Sequence, residues 1–201
     1  MNFKKLQAMQ LELDNSILSA KPQMTAEERF NKTLVALSVE VAEVSNCSEH
    51  FKFWKDNKGK VDGERFVVGY AISESSERTC YEVNRNMNKI TESQAHKLTL
   101  VEEASDCLHF ILSLANQIEY VIDEELIKIG HYPKNSLETL YVALQNKIMD
   151  LATGYDKLGS YKALLSFYMS YVNDLGITTQ ELEQAYYEKN EENYCRLREG
   201  Y

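Results

Sequence analysis

Proline and glycine are scarce in this sequence, with 2 and 8 residues among 201. Proline breaks helices and glycine weakens them, so their shortage favours long helices with short connections. Excess positive charge is missing too, the net charge being −9. A duplex groove binder needs a basic face, so no nucleic-acid partner is expected. No apolar run is long enough to span a bilayer and no signal-peptide pattern is present. No membrane partner is therefore expected, and the cytoplasm is the expected compartment. The four cysteines, Cys47, Cys80, Cys107 and Cys195, form no CxxC pair, which argues against structural zinc and for reduced thiols.

What is present suits a globular chain with a real core, at 44% hydrophobic and 26% charged residues. That length supports a single domain over residues 1–201. Leu6, Met9, Leu13 and Ile17 recur at helical spacing and predict a helix from Lys4 to about Leu18. Thr25 and Glu28 have capping-box spacing, so a second helix should run from there to about His50. A third is expected from Lys97 to about Tyr120, with an extension toward Ile129. Ser136–Leu151, Tyr161–Leu175 and Thr179–Arg198 complete the set, the last behind a Thr178/Glu181 capping box. RFVVGYAI and RTCYEV are rich in β-branched and aromatic residues and suggest a hairpin-like insert at about 63–92. The expected fold is an all-α helical bundle with a small β-prone insert.

Two helices carry acids where apolar residues dominate. TLVALSVEVAEVS has Glu40 and Glu43 among leucines and valines, and apolar residues all round it predict burial on most sides. LVEEASDCLHFILSL carries Glu103 and Asp106 at the same spacing. Residues three apart lie about 60° apart around the helix axis, so each pair can aim at one point. Four converging carboxylates do not stay ionised in an interior without cations. Hard divalent ions such as Mg²⁺ are natural partners, and they suit phosphoryl chemistry. A pair of acids at this spacing also occurs on ordinary solvated faces, so periodicity leaves both readings open. Carboxylate-bridged iron is the weaker metal assignment, because Glu-x-x-His is absent from the second helix.

SVEVAEVSN followed by FKFWK, then EEASDCLHFILSL, then YYEKNEENYCRLREGY stand in this order. Together with the opening KLQAMQLELDNSI they resemble the all-α dimeric dUTPases, within the MazG-like nucleotide pyrophosphatase group. The resemblance implies Mg²⁺-dependent hydrolysis of dUTP, and of dUDP, to dUMP by a homodimer. Glu40, Glu43, Glu103 and Asp106 would then be the metal ligands, and Glu40 the residue that orients or deprotonates the attacking water, with Glu43 second. Glu102 falls off the metal line. Lys52 and Lys55 are expected to neutralise phosphate, and Asn46 to bind phosphate or sugar. Trp54 packs against the nucleoside or, more simply, anchors its turn. His109 either lines the cavity or is a satisfied core histidine; Gln10 either reads the uracil edge or lies on the surface. Tyr186, Lys189, Asn190, Asn193 and Arg196 form a polar stripe expected to close on substrate, joined by Arg198 to Tyr201.

Two departures stand out. The gap between FKFWK and EEASD is long, and position 14 is Asp where related enzymes often have Asn. The latter keeps open a relative acting on dCTP or a broader nucleotide set. A non-enzymatic helical interaction protein is the rival from another class.

Overall fold

The computed structural model describes residues 1–70, 77–83, 87–123 and 136–200. Among them are six helices: α1 (Phe3–Ala20), α2 (Ala26–Ser48), α3 (Glu92–Gln117), α4 (Leu137–Thr153), α5 (Lys157–Asp174) and α6 (Thr179–Arg198). Three short strands, β1 (Phe66–Val68), β2 (Thr79–Glu82) and β3 (Asn88–Thr91), lie between α2 and α3. The chain is thus all-α with a small β insert.

Helix starts follow their caps. The Thr25/Glu28 and Thr178/Glu181 capping boxes open α2 and α6 as expected. A third box, Thr91 with Gln94, starts α3 at Glu92, ahead of the expected Lys97. Asp156 caps α5, which begins at Lys157 and not Tyr161. α3 ends at Gln117, and Glu119 adopts a left-handed φ of 55°. The expected extension therefore fails by residue 123, and its remainder, to Ile129, lies outside the described residues.

The bundle is built around α3, which packs against α1, α2 and α6, while α4 pairs with α5 and α2. Leu108, Ile111, Leu112 and Leu114 of α3 are fully buried. Two buried tyrosines of α5 fix it further: Tyr168 O–H donates to the Ala104 carbonyl at 2.6 Å, and Tyr161 O–H to that of Ile111 at 3.1 Å. These bonds satisfy hydroxyls that would otherwise be costly to bury. One expectation about α2 needs correction. Val35 is 65% and Val39 49% exposed, because α3 and α4 cover only part of the helix.

The insert is an antiparallel meander in the order β1-β2-β3. Phe66 faces Glu82, and Cys80 faces Ile90. The expected two runs do pair; β3, from the short and mostly polar NKIT, joins them without a β-rich signal. The connection at 71–76 lies outside the described residues. Phe66 and Cys80 form a second small core with Ala95 of α3. Asp62 N–H donates to Thr99 Oγ1 at 3.1 Å, so the insert is docked on the first half of α3. Phe66→Ala should remove about 3–5 kcal/mol of packing from this lobe. Limited proteolysis should then cut the 62–91 region first while far-UV helicity persists; unchanged cleavage would show that Phe66 does not dock the insert.

Candidate active site

α2 and α3 run against each other, and their acids meet at the seam. Carboxylate oxygens of Glu40, Glu43 and Glu103 all lie within 4.8 Å of one another. Ligand oxygens on one octahedral Mg²⁺ stand about 3–4 Å apart, so small side-chain rotations would close this set on an ion. No described lysine or arginine forms an ion pair with these three acids. The donor set is all oxygen, which suits a hard cation.

Asp106, the fourth expected ligand, stands beside the trio, and its Oδ2 pairs with Lys189 Nζ at 3.0 Å. Burial, reinforced by the neighbouring acids, pushes the carboxyls of Glu40 and Glu103 up to about 7. Burial pushes Asp106 up to about 6 although Lys189 pulls the other way. Without a metal, protons relieve this repulsion.

Glu102, next to Glu103, behaves oppositely. Burial raises it, but Lys189 and Arg65 outweigh that and hold it below its ordinary range. It accepts from Arg65 NH1 at 2.8 Å and lies 3.4 Å from Lys189. It is thus a hub for two cations.

Lys52 and Lys55, expected to neutralise phosphate, lie in the turn after α2. Both pair with Glu49, Lys52 at 2.8 Å, and Gly59 N–H adds a 3.0 Å bond. Glu49 is 2% exposed with a left-handed φ of 52°, and these bonds, Lys52's first, pull its carboxyl down to about 2. The two lysines serve the turn after α2 because an acid must be buried there to close it. Trp54, in the same turn, is 65% exposed and edge-on to Phe53 and Phe51. Asn46 is exposed on α2, one turn beyond Glu43.

A second polar cluster lies between α1, α3 and α6. His109 is buried, its Nδ1–H donating to Gln10 Oε1 at 2.7 Å. Its ring stacks on Tyr186 with centroids 4.1 Å apart. Burial, then the charge of Lys189, drives His109 down to about 3, so it is neutral at physiological pH. Gln10, buried and not on the surface, donates to Asp14 Oδ1 at 2.8 Å. Asp14 also accepts from Arg29 at 2.9 Å and Ser113 at 2.7 Å. Two buried atoms here lack partners, His109 Nε2 and Asn190 Nδ2. Farther along α6, Asn193 is half-buried, while exposed Arg196 pairs with Glu192. Exposed Arg198 donates to Cys195 Sγ at 3.0 Å, and position 201 lies outside the described residues.

The α2–α3 seam, with α6 laid beside it, follows the order of the sequence blocks. A family model described as dUTPase matches residues 2–71 and 85–201. The chain belongs to the dUTPase family. Its activity is that of a dUTP diphosphatase, a hydrolase with a small-molecule nucleotide substrate. The unmatched stretch, 72–84, falls inside the insert. A search of curated proteins finds no match. No described helix is long and apolar enough to cross a membrane.

Sequence reasoning missed Glu49, Arg65 and the Asp14–Arg29–Ser113 bonds of this dUTPase. Glu49 had a signal, standing three and six residues before Lys52 and Lys55. Arg65 had none, since its partner Glu102 is 37 residues away.

The raised carboxyls set a pH dependence. A carboxyl raised in the folded state makes the unfolded chain bind fewer protons, so stability falls as pH rises from about 4.5 to 7. Metal-free protein should therefore show a declining Tm across that window, and Mg²⁺ should restore it at pH 8. Glu103→Gln should flatten the decline and remove most of the Mg²⁺ effect. A flat wild-type profile with no Mg²⁺ response would contradict the cluster's electrostatics.

Proposed function

We propose that the protein converts dUTP and dUDP to dUMP with Mg²⁺, by attack of water on the α-phosphorus. The convergence of Glu40, Glu43 and Glu103, with no described cation paired to them, carries this reading. Glu40, Glu43, Glu103 and Asp106 would hold the metal, which when bound neutralises the phosphates and makes the phosphorus more electrophilic. Glu40, more sheltered than exposed Glu43, orients the water and takes its proton. A bond forms from the water oxygen to the α-phosphorus, and the bond from that phosphorus to the bridging oxygen breaks. Pyrophosphate leaves from dUTP, and orthophosphate from dUDP. Lys189, freed from Asp106, and Arg196 hold the phosphates.

The base end falls to the second cluster. Gln10 is engaged on both sides of its amide, so it holds His109 in place before it can read a base. The orphan acceptor on His109 Nε2 and orphan donor on Asn190 Nδ2 fit a ligand edge offering both groups, as uracil does. Cytosine offers both as well, and Asp14 favours keeping dCTP as the second reading.

With Mg²⁺, a nucleotide panel should show dUTP and dUDP turned into dUMP well ahead of dCTP, dTTP and UTP. Equal turnover of dCTP would replace the uracil assignment. Glu40→Gln should lower kcat by about 10²–10⁴-fold. Near wild-type turnover in Glu40→Gln, with Glu43→Gln dead, would move the base role to Glu43.

The same proposal includes a homodimer working in the cytoplasm, where free thiols such as the four here persist. Val35 and Val39 of α2 and Val142 and Met149 of α4 are exposed around a Ser38–Gln145 hydrogen bond of 2.8 Å that joins the two helices. Such an apolar patch suits a second copy. Light scattering should find a dimer, and Val39→Glu should yield monomers; a monomeric wild type would refute this part.

A further inference from the structure

The insert has no part in the proposed chemistry, yet one of its side chains reaches the charge network beside the metal ligands. Arg65, just before β1, sends Nε and NH2 to Glu82 Oε1 at 2.9 and 2.8 Å, and NH1 to Glu102 Oε2 at 2.8 Å. Its backbone is set by the sheet: the Arg65 carbonyl accepts from Val83 N–H at 2.9 Å, and the next residue, Phe66, fills the insert's core. Glu82 is 5% exposed. The guanidinium is therefore fixed before Glu102 is considered. Arg65, Glu102, Lys189 and Arg196 border one cleft of about 490 Å³ between the insert, α3 and α6.

Lys189 sits among three carboxylates, Asp106 at 3.0 Å, Glu102 at 3.4 Å and Glu192 at 3.7 Å. The proposed reaction needs Lys189 to leave Asp106 for a phosphate. At that moment Glu102 is the nearest rival acceptor. A half-buried carboxylate without another cation would seize the ammonium, because charge pairs strengthen as water is excluded. Arg65 takes up one oxygen of Glu102 at hydrogen-bond distance and leaves the other with a longer contact to Lys189.

We propose that Arg65 is a positioning residue for the dUTPase reaction: by holding Glu102, it keeps Lys189 available to the substrate phosphates. The inference rests on the function proposed above and gives the insert a role in it. Docking alone does not require Arg65, since Phe66, Cys80 and Ala95 pack together and Asp62 bonds Thr99.

The test is dUTP hydrolysis at saturating Mg²⁺ by wild type, Arg65→Gln, Arg65→Lys, Glu102→Gln and Arg65→Gln/Glu102→Gln, with melting curves confirming the fold. Arg65→Gln should raise KM about 10-fold and change kcat less than about 2-fold, the mark of lost phosphate binding. Arg65→Lys, which keeps a cation without the fork, should fall between. The double variant should return KM to within about 3-fold of Glu102→Gln alone, because removing the rival charge removes the need for Arg65. An unchanged KM in Arg65→Gln overturns the inference, as does the same KM penalty with and without Glu102. Should Arg65→Gln not fold, the same cycle run with Arg65→Lys decides by the same criterion. A folded wild type inactive on every deoxyuridine nucleotide would instead bring down the functional proposal, and this inference with it.

Discussion

Carboxylates crowded into the seam between two well-packed helices set the terms for the rest of this structure. Ionising both Glu40 and Glu103 there is costly, their carboxyls being raised to about 7, and no described cation stands at ion-pair distance from either. What the fold does supply is rigidity. Leu37, Val41 and Val44 hold one wall, Leu108 and Ile111 the other, and two tyrosine hydroxyls of α5 bond to α3 carbonyls. Repulsion that would push flexible loops apart is here stored between helices that cannot separate without opening the core. A divalent cation is a partner whose chemistry suits such a site.

The cations that do come near are distributed with the same economy. Lys52 and Lys55 are committed to Glu49, and Arg29 to Asp14. Among the described residues Lys189 is the one cation paired with a proposed metal ligand, and Glu102 ties it to Arg65 in the insert. Adjacent acids on one helix consequently have opposite fates: Glu102 is held in its ionised form, and Glu103 is driven toward neutrality. One residue along a helix turns the side chain by about 100°, which is enough to exchange a setting ruled by cations for one ruled by anions.

Local chemistry was legible in the sequence, and distant pairing was not. The helices of the bundle and two capping boxes could be read because periodicity and caps act within a few residues. Glu40, Glu43 and Glu103 could be brought together because two acid pairs broke an apolar pattern twice in the same way. The exposure of Val35 and Val39 could not be foreseen, since a helix's apolar pattern does not say how much of it the neighbouring helices cover. The pairing of Lys52 and Lys55 with Glu49 was missed because a lysine near a phosphate site and one closing a turn look alike until the buried acid is seen. Arg65 was invisible, its importance arising only when a sheet docks on α3.

Whether the seam holds a divalent ion is best measured by titrating the protein with Mn²⁺ and following the free-ion signal by electron paramagnetic resonance. Wild type should quench that signal with saturation, Mg²⁺ should compete it back, and folded Glu103→Gln should leave it largely unquenched. Equal quenching by the two proteins, or none by wild type, would contradict the assignment of these carboxylates as the metal site.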